Sequence, residues 1–223
     1  MEGTAALRER FESIYTAALA DILDTRGYRT QTLPPSIRPL ERGMKLAGPA
    51  FTVRGKPSQT ATYDTSLRKV LKMLGEVPAG HVAVYACGQD VAAHLGELSV
   101  TSLAARDVAG CVLDGGCRDV SFIVELGFPV FCAHVTPEDS TFRWELEATQ
   151  EPVSVGQVRI DPGDWVVGDG DGVTVVPGDA LDAVLAAARR RAAKERGYFE
   201  ALRSGDTTVR LLGLDPSPVE REA

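Results

Sequence analysis

Between residues 82 and 135 the chain changes period four times, and this alternation limits the fold more than any other feature. Residues 82–87 form an apolar run, Val91 to Val108 carries a helical pattern, and CVLD at 111–114 is a second run. A helical pattern from Arg118 to Leu126 follows, then a third run at 129–135. Runs this apolar, separated by helical spacings, predict strands buried on both faces and joined by helical crossovers. The reading is an α/β protein with a parallel core.

The flanks add to this core. From Thr4 to Arg26 apolar residues recur at helical spacing up to Gly27, which predicts one N-terminal amphipathic helix. The stretch Leu33 to Leu40 holds three prolines and reads as an extended connection. Met44 to Val53 then reads as a strand interrupted at Gly48-Pro49, followed by a helix from Tyr63 to Leu74. After residue 135 the texture shortens to VSVGQVRI, PGDWVVGD and GVTVVP, a β-meander beside the core, and a long helix from Asp179 to Leu202 closes the fold. Leu214 to Ala223 reads as a frayed tail, and no linker divides residues 1–223, which are expected to form one domain.

Composition narrows the function classes. Hydrophobic residues make up 44% and charged residues 25% of the 223, enough apolar area for a core and too much for a disordered or fibrous chain. The net charge of −7 is spread along the sequence with no basic face, so neither nucleic acid nor an anionic membrane is an expected partner. No run approaches the roughly 18 apolar residues of a membrane span, and the start, MEGTAALRERFES, is charged where a signal peptide is apolar. Cys87, Cys111, Cys117 and Cys132 lack C-x-x-C pairing and read as buried small hydrophobes, which suits a reducing cytoplasm.

Chemistry concentrates between His94 and Val120. A helix starting near Glu97 descends until Gly110, and the next strand climbs back, so Glu97 and the pair Arg118-Asp119 are expected to meet at the edge outside the strands' carboxyl ends. Ligands bind at that edge in open α/β sheets. Alone, Glu97 is also what a helix N-terminus favours, Asp119 a first-turn acid or cap, and Arg118 a surface charge. Together with Gly96 and the Gly115-Gly116 pair they form a candidate site. The backbone N–H groups of Leu98 and Ser99 can hold a carboxylate, and Arg118 can add a charged fork to a carboxylate or enolate oxygen. Asp119 offers a hard oxygen for Mg²⁺, and Glu97 can hold one of that ion's waters. By contrast, Asp164, Asp169 and Asp171 lack the spacing of a calcium loop and read as turn acids. His94 and His134 stand beside no nucleophile motif, and the run RRRAAK at 189–194 reads as a solvated or subunit-facing stripe.

The segment GELSVTSLAARDVAGCVLDGGCRDVSFIVELGFPVF resembles the signature region of the RraA-like family, which includes 4-hydroxy-4-methyl-2-oxoglutarate/4-carboxy-4-hydroxy-2-oxoadipate aldolases and a regulator of ribonuclease E. AALADILDTRG, IRPLERGMKLAGPAFTV and PGDWVVGDGDGVTVVP extend the resemblance, and Thr141 to Pro152 and the two ends match poorly. The resemblance implies a compact β/β/α sandwich of the swivelling-domain type with a long C-terminal helix, assembled as homotrimers or hexamers with sites between subunits. It also implies a divalent-metal-dependent lyase, using Mg²⁺ or Mn²⁺, that cleaves a 4-hydroxy-2-oxo acid to pyruvate and decarboxylates oxaloacetate.

The aldolases carry an acid, twenty residues, then Arg-Asp, and Glu97, Arg118 and Asp119 stand at those positions. By resemblance Asp119 binds the metal, Arg118 and residues Gly96 to Ser99 bind the 2-oxo acid, and an acid from a neighbour's last helix, Glu195 here, enters the site. The aldolases have Asp where Glu97 stands. The regulator branch, a non-catalytic partner of a ribonuclease, keeps the arginine and lacks the following aspartate, so Asp119 points to an enzyme.

Overall fold

A computed structural model describes residues 3–88 and 91–211 of the chain. The strands are β1 (Arg38–Pro39), β2 (Leu46–Pro57), β3 (Val82–Ala86), β4 (Ala93–Leu95), β5 (Gly110–Cys117), β6 (Val130–Val135), β7 (Trp144–Thr149), β8 (Val153–Val155), β9 (Val158–Ile160), β10 (Trp165–Asp169) and β11 (Gly172–Val176). Nine of them form one mixed sheet with main order β1-β6-β5-β3-β2-β10-β11, in which β4 also pairs with β5 and β7 with β2. Neighbours β2, β3, β5 and β6 run parallel, as the alternation of apolar runs and helical patterns requires, and β8 and β9 form a separate hairpin. The expected α/β class holds. The late meander is divided, because β10 and β11 extend the main sheet through the pairing of β10 with β2.

The helices are α1 (Thr4–Glu12), α2 (Thr16–Asp24), α3 (Tyr63–Glu76), α4 (Glu97–Ala104), α5 (Val120–Leu126), α6 (Leu181–Arg203) and the one-turn α7 (Thr208–Leu211). On one face of the sheet α3, α4 and α5 bury Met73, Leu103 and Ile123 against Tyr85, Leu113 and Trp144. The opposite face packs Leu46, Val84, Val112 and Phe131 on Val155 and Val166. A third cluster joins α1, α2 and α6 through Phe11, Leu19, Leu23, Trp165 and Val184, with the Phe11 and Trp165 rings stacked at 4.9 Å. The four cysteines are free and buried, and burial pushes the thiols of Cys117 and Cys132 up to about 12 and about 11, so neither of these two is a reactive thiolate. No helix among the described residues is long and apolar enough to cross a membrane.

Three sequence readings are corrected. The N-terminal helix is two helices, broken at Ser13–Tyr15, because Asp169 of β10 captures the start of the second: its carboxylate accepts from Thr16 N at 2.9 Å and Thr16 Oγ1 at 2.6 Å. The helix expected over Val91 to Val108 is β4 followed by a helix of only eight residues, since 93–95 pair with β5. The strand expected over Met44 to Val53 runs unbroken through Gly48-Pro49 to Pro57, and β7, on the segment that matched the family poorly, went unread. The expected frayed tail lies outside the described residues apart from its approach to Leu211.

Asp169 and Asp164 serve turns and caps, as the turn-acid reading required. Asp164 accepts from Asp161 N and Gly178 N, both at 2.9 Å, while burial raises its pKa. Asp169→Ala leaves the buried Thr16 hydroxyl and amide without their acceptor, so unfolding free energy should fall by about 1–3 kcal/mol in urea titrations. A change within about 0.5 kcal/mol, the range of an ordinary surface substitution, would show that the helix break has another cause.

Candidate active site

A cavity of about 630 Å³ opens where β4 and β5 end. The parallel pairing of Ala93 with Gly116 and Leu95 with Cys117 brings the two strand ends side by side, and Arg118 N donates to Leu95 O at 3.0 Å. The next residues therefore meet: Glu97 N donates to Asp119 Oδ2 at 2.9 Å. Glu97, Arg118 and Asp119 come together as the chain path predicted, although the group of Glu97 that reaches Asp119 is its backbone amide, while its side chain is exposed.

Gly96 is required by this approach. A Cβ there would lie 2.5 Å from Asp119 Oδ2 and 3.0 Å from Arg118 Cγ. Asp119 itself adopts the left-handed conformation, with φ of 58°, which Asp and Asn tolerate better than other side chains. Past Gly96, Val100 N makes the first 3.0 Å helical bond, to Gly96 O. The N–H groups of Leu98 and Ser99 precede it in the first turn, where no intrahelical acceptor exists, and both residues line the cavity.

Arg118 is held between two carboxylates. Its Nε lies 3.7 Å from Asp119 Oδ2 and its Nη1 3.0 Å from Asp139 Oδ2. Asp139, which sequence reasoning missed, stands on the loop after β6, and its Oδ1 also accepts from Thr141 N at 2.9 Å and Thr141 Oγ1 at 2.8 Å. Burial works against ionisation of Asp139, but the Thr141 bonds and the Arg118 guanidinium outweigh it and hold the pKa below the usual carboxylate value. A bond of 2.7 Å from Ala93 N to Glu138 O ties this loop to β4. The sequence signal was the run Asp139-Ser140-Thr141, a turn-capping pattern with no spacing relation to Arg118.

Other candidates fall elsewhere. Gly115 and Gly116 do not line the cavity; a Cβ on Gly115 would meet Cys87 Sγ at 2.8 Å and one on Gly116 would meet Ala92 O at 2.6 Å, so the pair serves close packing of strands. His94 lines the cavity but lies buried with its ring edge-on to Trp144 at 4.8 Å, and His134 Nε2 bonds Val91 O at 2.8 Å. The side chain of Glu195 lies outside the described residues, although its backbone belongs to α6.

A cavity of small-molecule size thus lies at the carboxyl edge of parallel strands, lined by an Arg-Asp pair and a helix start, at the edge where open α/β sheets bind ligands. The family model described as RraA-like, Aldolase/RraA, matches residues 16–175, and the chain belongs to this family. It is 33% identical over 202 residues to a Halalkalibacterium halodurans protein named "Putative 4-hydroxy-4-methyl-2-oxoglutarate aldolase", covering 90% of each chain. Among solved structures it is similar to Streptomyces coelicolor RraAS2, described as an unusual member of the RNase ES inhibitor RraA family, with a TM-score of 0.78, 30% identity and coverage of 89% and 98%. It is also similar to an uncharacterized protein from Pseudomonas syringae pv. tomato, with a TM-score of 0.82, 28% identity and coverage of 93% and 96%.

Proposed function

We propose that the chain is a divalent-metal-dependent lyase that cleaves a 4-hydroxy-2-oxo acid to pyruvate by a retro-aldol step and decarboxylates oxaloacetate. The observation that carries this reading is Asp119 poised between the Glu97 amide and the Arg118 guanidinium at the mouth of the cavity. Among the described residues no group of three or more His, Cys, Asp or Glu is placed to enclose a metal, which disfavours a zinc-type site. A hard ion that keeps most of its waters needs only one or two carboxylates, so Asp119 fits Mg²⁺ or Mn²⁺. Bound there, the ion would act as a Lewis acid on the 2-oxo group.

The protein's own groups supply the rest. The N–H groups of Leu98 and Ser99 hold the substrate carboxylate at the positive end of α4. Arg118, fixed by Asp139, directs its remaining N–H donors at the 2-oxo oxygen, where charge develops as the C3–C4 bond breaks. Glu97 takes the proton from the 4-hydroxyl oxygen, the C4–O bond becomes a carbonyl, and the C3–C4 electron pair moves into the enolate. Return of that proton from Glu97, through solvent, to C3 completes pyruvate and regenerates the carboxylate. Oxaloacetate loses CO₂ to reach the same enolate.

The test is release of pyruvate from a panel of 4-hydroxy-2-oxo acids and oxaloacetate. Activity should disappear on dialysis against EDTA and return with Mg²⁺ or Mn²⁺. Full activity in chelator would reject metal dependence, and absence of pyruvate from every substrate would leave the non-catalytic regulator as the better reading of the family resemblance.

A further inference from the structure

Arg118 stands beside the residue proposed to hold a divalent ion, and a guanidinium in that place is repelled by the ion it must work next to. The Asp119 contact is a weak restraint: Nε lies 3.7 Å from Oδ2, longer than a hydrogen bond, and that oxygen already accepts from Glu97 N at 2.9 Å. The stronger hold is on the other side, where Asp139 Oδ2 lies 3.0 Å from Arg118 Nη1. These two contacts engage Nε and Nη1 and leave Nη2 outside both.

Asp139 is itself anchored. Its Oδ1 accepts from Thr141 N at 2.9 Å and Thr141 Oγ1 at 2.8 Å, so that oxygen is committed to the loop while Oδ2 meets Arg118. Its backbone carbonyl accepts from Arg143 Nη1 at 3.0 Å, and Arg143 Nη2 lies 3.3 Å from Glu138 Oε1. Ala93 N donates to Glu138 O at 2.7 Å, and Ala93 forms a parallel bridge with Asp139, so the carboxylate is tied to β4, the strand that leads into Gly96 and Glu97. An exposed ion pair between two free side chains is loose and adds little stability. This one is fixed to backbone at its acidic end, and what it supplies is orientation.

Resting on the lyase reading above, we propose that Asp139 is a positioning residue of that reaction: its carboxylate holds the Arg118 guanidinium against repulsion by the divalent ion and keeps the remaining N–H groups aimed at the oxygen of the forming enolate. Because Asp139 acts through Arg118, its effect on rate should exist only while Arg118 is present.

A double-mutant cycle on the full chain tests this. Asp139→Asn keeps an oxygen for Thr141 and turns an amide donor toward the Arg118 donors, so the clamp is lost while the loop bonds remain. With Mg²⁺, kcat for pyruvate release from oxaloacetate should fall about 10-fold or more, on the order of the cost of misplacing a reacting group. KM should move far less, because the charge of Arg118 remains. In the Arg118→Lys background the same substitution should cost less than about 2-fold. Calorimetric binding of oxalate, a planar mimic of the pyruvate enolate, should show the same dependence on background without any turnover. A kcat loss below about 10-fold, or a loss of the same size in both backgrounds, overturns the proposal, and the second result would mark Asp139 as a loop residue only. If Asp139→Asn lowers the melting temperature by more than a few degrees, Thr141→Val, which removes one bond to the carboxylate, carries the cycle: a loss of about 3-fold should vanish in the Arg118→Lys background, and equal losses again overturn the proposal. Oxalate binding that follows the expected pattern without pyruvate from any substrate would sink the lyase and keep the clamp. Turnover with background-independent losses would sink the clamp and keep the lyase, and absence of both turnover and oxalate binding would overturn both.

Discussion

Asp119→Asn should reduce pyruvate release by about 10³-fold or more, beyond the usual 10²–10³ cost of removing one oxyanion donor, because it removes the charge that would hold the metal in the lyase proposed above. The substitution is chosen for what it preserves. Asn is as tolerant as Asp of the left-handed backbone at φ 58°, and its amide oxygen can still accept from Glu97 N at the 2.9 Å position. Melting temperature should therefore shift by no more than a few degrees, since a surface site that keeps its hydrogen bond and backbone conformation loses little stability. Asp119→Ala loses both the acceptor and the conformational tolerance, so its inactivity alone would be ambiguous. Near-normal turnover by the folded Asn variant, at ordinary metal concentration, would remove Asp119 from the mechanism.

Arg118→Lys is expected to lower kcat/KM by about 10²-fold or more with both kcat and KM affected. The guanidinium spans two acids, with Nη1 3.0 Å from Asp139 and Nε 3.7 Å from Asp119, and still has N–H groups to offer a substrate oxygen. An ammonium keeps the charge but is a compact point that cannot hold this planar fork. Its site is more than one-third exposed, so little folding energy rests on the ion pairs and the fold should survive. Steady-state kinetics within a few-fold of the unsubstituted protein would mean that Arg118 acts by charge alone or lies off the substrate.

The family and the core of the site were legible because both depend on short-range pattern. Apolar runs at 82–87, 111–114 and 129–135 could satisfy their backbone groups only as neighbouring buried strands, and the helical segments between them forced parallel pairing. The same geometry returned Arg118-Asp119 to the edge where Glu97 stands, since a parallel strand must end where its neighbour ends. Glycine told less than it promised: Gly96 is indeed needed for close approach to Asp119, whereas Gly115 and Gly116 are needed for packing against Cys87 and Ala92.

Tertiary contacts decided what local pattern could not encode. Helical periodicity continues from Thr4 to Arg26, but the helix breaks because Asp169, 153 residues from Thr16, binds its amide and hydroxyl. Residues 93–95 are strand because β5 offers them a partner, a pairing that a helical reading of Val91 to Val108 could not weigh. Asp139 faces Arg118 only through the β5–β6 register and the Ala93–Glu138 bond, so no spacing rule links the two residues. The sequence by itself determined the α/β class, the family and three of the charged residues at the site, because these follow from periodicity and chain direction. The tertiary structure alone decided the fourth charge, Asp139, and the breaks in the helices, because these depend on which distant surfaces compete for the same backbone groups.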